Sequence, residues 1–122
     1  MSAGMSPGAA DAAVPLSLYT YVEGDATIVK CIGKLIAGHT GILRDEVKRL
    51  IPQSKKIVLD LTNLTQMDSL GLGTLVSLYV SAKTSGTTLV LINLSPRVRD
   101  LFRITKVGSI FEDYAEHIIR TP

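Results

Sequence analysis

Two short apolar runs without polar alternation constrain the fold of this chain more than any other feature. The first is Ile57-Val58-Leu59, and the second lies within the stretch TTLVLIN at residues 87–93. Such runs are typical of strands covered on both faces, as in parallel sheets. Each is followed by a segment with helical periodicity. The sequence therefore predicts an α/β fold, with a mixed, mainly parallel sheet of four to five strands and helices packed on it.

The segment before the first run predicts an antiparallel hairpin. Residues 16–22 alternate in strand fashion, and residues 26–32 are rich in β-branched side chains. Glu23, Gly24 and Asp25 lie between them and are suited to a turn. Right-handed crossovers after this hairpin would bring the N-terminal ends of the helices to the C-terminal edge of the sheet.

Three amphipathic segments predict the helices. The first runs from about residue 39 to 51 and stops at Pro52, the second runs from about residue 68 to 86, and the third follows Ser95-Pro96. A closing element at 109–114 and a helical stub around 115–120 are expected after them. The apolar stripes that face the core are Leu43, Val47 and Leu50 in the first helix, Leu72, Leu75, Val76 and Tyr79 in the second, and Val98, Leu101 and Phe102 in the third.

Composition indicates one small domain and excludes several function classes. Residues 1–15 are mostly Ala, Gly, Ser and Pro and predict a disordered tail, which leaves residues 16–122 as the domain. The net charge of +2 and the absence of Trp argue against nucleic-acid binding. No apolar run approaches the roughly 18 residues of a membrane span. The N-terminal segment lacks the basic residues with which a signal peptide begins. We expect a soluble, cytoplasmic protein.

Neither cysteine nor histidine supplies a metal or cofactor site. Cys31 is the only cysteine and therefore forms no intrachain disulfide, so we interpret it as a core residue. His39 and His117 show no ligand spacing. We expect no cofactor and no metal.

The most informative segment is Met67-Asp68-Ser69-Leu70-Gly71-Leu72-Gly73, at the start of the second helix. Asp68 and Ser69 fit helix capping. Capping leaves Gly71 and Gly73 unexplained, since glycine in a helix costs about 0.5–1 kcal/mol relative to alanine. Glycine is useful there if another surface must approach the backbone. Leu70 points almost opposite to the core stripe, so these residues predict a docking patch.

A phosphate on Ser69 would make that patch switchable. It would add about −1.5 to −2 charges at the positive end of the helix dipole, where the fold tolerates negative charge. A partner packed on Leu70, Gly71 and Gly73 would not tolerate it, especially beside Asp68.

This order of a strand, M-D-S-x-G-L-G and an amphipathic helix resembles the anti-sigma-factor antagonists of the STAS domain family. The similarity extends from about residue 16 to 119 and includes SPRVRDLF and IFEDY. The resemblance implies a non-enzymatic protein that binds an anti-sigma factor serine kinase and thereby frees a sigma factor. It implies that Ser69 is phosphorylated by that kinase and dephosphorylated by a serine phosphatase, with Asp68 as its acidic neighbour. Asp68, Leu70, Gly71 and Gly73 would form the partner-binding surface.

Other functions remain as alternatives. The chain could be a non-switching STAS module, either a scaffold in a sensor assembly or an accessory subunit of a lipid-transport complex. An enzyme with Ser69 as nucleophile is disfavoured because no G-x-S-x-G elbow is present and neither histidine is tied to Ser69. A weak nucleotide site at the sheet edge is a further alternative, although the sequence contains no recognisable phosphate-binding loop.

Overall fold

The sheet begins with the expected antiparallel hairpin. The computed structural model describes residues 16–104 and 119–120. Strand β1 (Leu16–Glu23) pairs along its whole length with β2 (Ala26–Leu35). Gly24 has a φ of 64°, a backbone conformation that glycine adopts without strain, and it opens the two-residue turn between the strands.

Helices and parallel strands alternate after the hairpin. Strands β2, β3, β4 and β5 are mutually parallel, and the described sheet has the order β1-β2-β3-β4-β5. This confirms the α/β fold with a mixed, mainly parallel sheet. The remaining elements are α1 (Thr40–Leu50) with a 3-10 turn (Ile51–Gln53), β3 (Lys56–Met67), α2 (Ser69–Thr84), β4 (Thr88–Ile92), α3 (Pro96–Ile104) and β5 (Ile119–Arg120).

Both faces of the central strands are buried, as the apolar runs predict. Ile57 and Leu59 belong to the main core, which packs one face of the sheet against the helices. Val58 points to the other face, where Ile28, Val58 and Val90 lie side by side on neighbouring strands. Cys31 is buried in the main core, which confirms its interpretation as a core residue.

The predicted helices form with nearly the expected bounds. In α1 the apolar stripe of Leu43, Val47 and Leu50 is buried. Ser95 caps α3, since its hydroxyl accepts a hydrogen bond from the Val98 N–H at 3.3 Å. In α2, Val76 is only half-buried, and burial extends instead to four residues outside the predicted stripe, Gly71, Thr74, Leu78 and Ala82.

One strand is longer than its apolar run, and one local prediction is wrong. Strand β3 continues to Met67, immediately before α2, because its second half pairs with β2 through two register shifts. Ile119 and Arg120 are in a strand rather than in a helical stub, because they pair with Leu91 and Ile92 of β4. The rest of that stub, the closing element at 109–114 and the tail at 1–15 lie outside the described residues.

Candidate functional site

The MDSLGLG motif lies where β3 ends and α2 begins, at the C-terminal edge of the parallel strands. Asp68 is the N-cap of α2 and has an extended backbone, with φ −109° and ψ −176°. Its Oδ1 accepts a hydrogen bond from the Gly71 N–H at 2.8 Å, which satisfies one of the free amides of the first turn. The expected capping function of Asp68 is therefore confirmed.

The second carboxylate oxygen of Asp68 holds a different part of the chain. Its Oδ2 accepts a hydrogen bond from the Ala37 N–H at 2.8 Å, and the Asp68 N–H donates to the Leu35 carbonyl at 3.4 Å. Asp68 thus fastens the loop between β2 and α1 to the start of α2. Sequence reasoning missed this contact, because Ala37 lies 31 residues upstream and has no recognisable motif.

The surroundings of Asp68 keep its carboxylate ionised. Partial burial acts to raise its pKa, but hydrogen bonds from the backbone N–H groups of Ala37, Gly71 and Leu70 outweigh burial and hold the pKa below its ordinary value. A fixed negative charge therefore stands next to Ser69, at the N-terminal end of α2.

The two glycines of the motif have different surroundings. Gly71 is buried, and a Cβ at this position would overlap the Leu35 carbonyl oxygen. The surface that approaches its backbone is therefore the chain's own β2, and the expectation that Gly71 exposes bare backbone to a partner is wrong. Gly73 is exposed, and a Cβ added there would have no neighbouring atom within 4 Å. Of the two, only Gly73 offers open backbone to another molecule.

Ser69 and Leu70 lie on the solvent side of the helix start. Both are exposed, and the Leu70 side chain retains 60% of its accessible surface. This confirms that Leu70 points away from the core. The structure therefore brings Ser69, Leu70 and Gly73 to one surface, places Asp68 partly buried at its border, and puts Gly71 beneath it.

Exposure continues along α2 beyond the motif. Ser77 is exposed and Val80 is 51% exposed. Leu70, Gly73, Ser77 and Val80 follow helical spacing, and we call them the outer face of α2. Lys83 is the only charged residue in the helix. Sequence reasoning missed Ser77 and Val80, although their spacing from Leu70 was a usable signal.

No alternative chemical site emerges in the described part of the chain. Residues 16–104 and 119–120 contain no cluster of three or more His, Cys, Asp or Glu side chains that could hold a metal ion. An open cavity of about 280 Å³ lies at the opposite edge of the sheet, beside the β1–β2 turn and the start of β3, and its lining includes Asp25, Ser54 and Lys55. No described helix is both long and apolar enough to cross a membrane.

Known proteins are similar to this chain in sequence and in fold. A family model described as the STAS domain matches residues 18–121. The Anti-sigma-B factor antagonist of Bacillus subtilis is 32% identical over 84 residues, which cover 69% of this chain and 77% of that protein. The anti-sigma factor antagonist SpoIIAA in its unphosphorylated form has a TM-score of 0.68 at 18% identity, covering 87% of this chain and 88% of that one. The Bacillus cell fate determinant SpoIIAA in its phosphorylated form has a TM-score of 0.63 at 19% identity, covering 88% and 90%. By sequence and by fold, the chain belongs to the STAS domain family.

Proposed function

We propose that this chain is an anti-sigma-factor antagonist that acts by partner switching. Its unphosphorylated form binds an anti-sigma factor serine kinase and so frees a sigma factor. Phosphorylation of Ser69 by that kinase releases the complex, and a serine phosphatase restores the binding form. The chain is then a substrate and a binding module rather than an enzyme.

The observation that carries this proposal is the surface formed by Ser69, Leu70 and Gly73. Ser69 is an exposed hydroxyl at the first position of α2, on a helix start that Asp68 fastens to the β2–α1 loop. A kinase can therefore reach the hydroxyl without unfolding the domain. The exposed Leu70 and Gly73 offer an uncharged contact area directly beside it.

Electrostatics explain how one phosphate would switch binding. The group carries about −1.5 to −2 charges, and the helix N-terminus offsets part of this in the free domain. In a complex the same phosphate would lie between two packed surfaces, next to the ionised Asp68, and would lose its hydration. The phosphate therefore lowers the affinity for the partner far more than it lowers the free energy of unfolding of the domain.

The relatives support this function. The Bacillus subtilis relative is named an Anti-sigma-B factor antagonist, and SpoIIAA, which shares the fold, has structures in unphosphorylated and phosphorylated forms. A non-switching STAS module would share the fold as well. Phosphorylation of Ser69 is what distinguishes the two functions.

The first experiment is to capture partners with the wild-type chain from its own cells, alongside Ser69→Ala and Ser69→Asp. We expect wild type and Ser69→Ala to retain a serine kinase and Ser69→Asp to lose it. The captured kinase and ATP should then phosphorylate wild type at Ser69, located by mass spectrometry. Ser77→Ala is the matched control, because Ser77 is also an exposed serine of α2 and its removal should leave phosphorylation unchanged.

The second experiment is calorimetric titration of that kinase with Ser69→Asp and Ser77→Asp. We expect Ser69→Asp to weaken binding by about tenfold or more, since one buried unpaired charge costs at least about 1.4 kcal/mol. Its free energy of unfolding should stay within about 1 kcal/mol of wild type, because an acidic residue suits the helix N-terminus. Unchanged affinity, or phosphate on a residue other than Ser69, would contradict the switch.

A further inference from the structure

Strand β1 is the edge of the described sheet, and it lacks the features that usually keep edges from pairing. It runs for eight residues in regular antiparallel register with β2, without a bulge. No charged side chain and no proline occurs between Leu16 and Val22, and the first charge is Glu23 at the turn. Edge strands of monomeric proteins are normally interrupted by lysine, proline or bulges. Within residues 16–104 and 119–120, no strand pairs with the outer side of β1.

The hairpin turn determines which backbone groups face that edge. In a hairpin closed by a two-residue turn, the residues that flank the turn form a hydrogen-bonded pair, and such pairs recur at every second residue. The pair Glu23–Ala26 closes this hairpin, so Tyr19 and Tyr21 also bond to β2. The N–H and C=O groups of Leu18, Thr20 and Val22 consequently point away from β2.

Three of the five exposed side chains of β1 are apolar or aromatic, and the other two are Ser17 and Glu23. Tyr19 is 61% exposed and Val22 is 73% exposed. The rings of Tyr19 and Tyr21 lie on the sheet face away from the helices, with centroids 5.6 Å apart. These large exposed side chains flank the open backbone groups.

We propose that β1 pairs antiparallel with β1 of a second copy of this chain, which joins two sheets into one. A two-fold axis at Thr20 places Leu18 opposite the second copy's Val22, and all the outward N–H and C=O groups of Leu18, Thr20 and Val22 are then paired. The same axis places Tyr19 opposite the second copy's Tyr21.

Charge also fits this self-pairing. In the register centred on Thr20, Glu23 comes opposite Ser17, so no like charges face each other across the two strands. Glu46, which accepts a hydrogen bond from the Thr20 hydroxyl on the helix side, is itself paired with Arg49 at 2.9 Å. The interface leaves Ser69 uninvolved and does not depend on the partner switch.

The test is sedimentation of the full chain over a roughly hundredfold range of concentration. We expect a monomer–dimer equilibrium, and we expect Val22→Lys to weaken the dimer about tenfold, because two lysines then lie on the paired edge. Ile42→Lys is the matched control, since Ile42 is a β-branched residue 41% exposed on α1. It should leave the dimer unchanged. A wild-type monomer at every concentration, or equal weakening by both variants, would overturn the proposal.

Amide hydrogen exchange distinguishes edge pairing from other association. Exchange at Leu18, Thr20 and Val22 should slow as concentration rises, whereas Tyr19 and Tyr21 should change little because they already bond to β2. A dimer in which the three outward amides exchange as fast as in the monomer would refute the β1–β1 pairing.

Discussion

The carbonyl oxygen of Leu35 lies where any residue other than glycine at position 71 would place its Cβ. Leu35 is the last residue of β2 and is fully buried, and Gly71 is in the first turn of α2. Beside this contact, Asp68 accepts hydrogen bonds from both Ala37 and Gly71. The end of β2 and the start of α2 are therefore one packed unit, and Ser69 is exposed on its surface.

The first prediction compares Gly71→Ala with Gly73→Ala. Gly71→Ala should lower the free energy of unfolding by about 2 kcal/mol or more, because the added methyl group overlaps the Leu35 carbonyl. This carbonyl belongs to the backbone and cannot move aside by changing a side-chain rotamer. Gly73→Ala should raise it by about 0.5–1 kcal/mol, because the site is open and alanine favours the helix. Denaturation in urea measures both. Similar effects of the two changes would contradict the Leu35–Gly71 contact.

The sequence could locate this site but could not tell its two glycines apart. Gly71 and Gly73 occupy the same helical turn and have nearly the same sequence neighbours. The difference between them is the Leu35 carbonyl, which belongs to a strand 36 positions earlier. The lengths of the intervening loops do not predict that this carbonyl comes close to Gly71. Capping by Asp68 was predictable because it is local, whereas the hydrogen bond to Ala37 was not.

The same distinction explains which parts of the fold were predictable. Local patterns predicted the hairpin, the three helices and the buried runs of β3 and β4. The second half of β3 contains Asn63, a residue type that is depleted in strands, and it is a strand because β2 pairs with it. Ile119 likewise belongs to a strand through its pairing with Leu91. Pairing over long separations overrides local preference at both places.

The second prediction concerns the acid sensitivity that Asp68 confers. Its pKa in the folded state is below the ordinary value of 3.8, so the stabilisation is present above pH 3.8 and is lost as pH falls through the folded-state pKa. Asp68→Asn should lower the free energy of unfolding at pH 7 by about 1–3 kcal/mol, since an amide nitrogen cannot accept from the Ala37 N–H. It should also reduce the loss of stability on acidification.

Denaturant unfolding at a series of pH values measures this effect. Asp45→Asn is the control, because Asp45 is an exposed aspartate on α1. Its replacement should change the free energy of unfolding at pH 7 by no more than about 0.5 kcal/mol. If Asp68→Asn were as mild as Asp45→Asn, the two hydrogen bonds of Asp68 would not hold the β2–α1 loop to α2.

The third prediction separates the motif from the rest of the outer face of α2. Leu70→Ala should weaken kinase binding about tenfold or more, as expected for a central apolar contact beside Ser69. Val80→Ala should have a smaller effect, because Val80 lies about 15 Å farther along the helix axis. Both side chains are more than half exposed, so each variant should keep its free energy of unfolding within about 0.5 kcal/mol of wild type. Calorimetric titration measures the affinities, and a larger loss for Val80→Ala would place the partner farther along α2.

The fourth prediction uses Cys31 as a probe of the whole core. Burial, with a smaller contribution from the charge of Asp60, raises the pKa of the Cys31 thiol to about 12. The native thiol is therefore both protonated and inaccessible at neutral pH, and alkylation requires the domain to open. We expect Cys31 to react at least about a thousandfold more slowly than the exposed cysteine of Ser77→Cys, with each site followed by peptide mass spectrometry.

In Gly71→Ala, a loss of about 2 kcal/mol should speed Cys31 alkylation roughly thirtyfold, because the open state is more populated. Equal rates for Cys31 and the cysteine at position 77 would contradict the packing of β2 against α2.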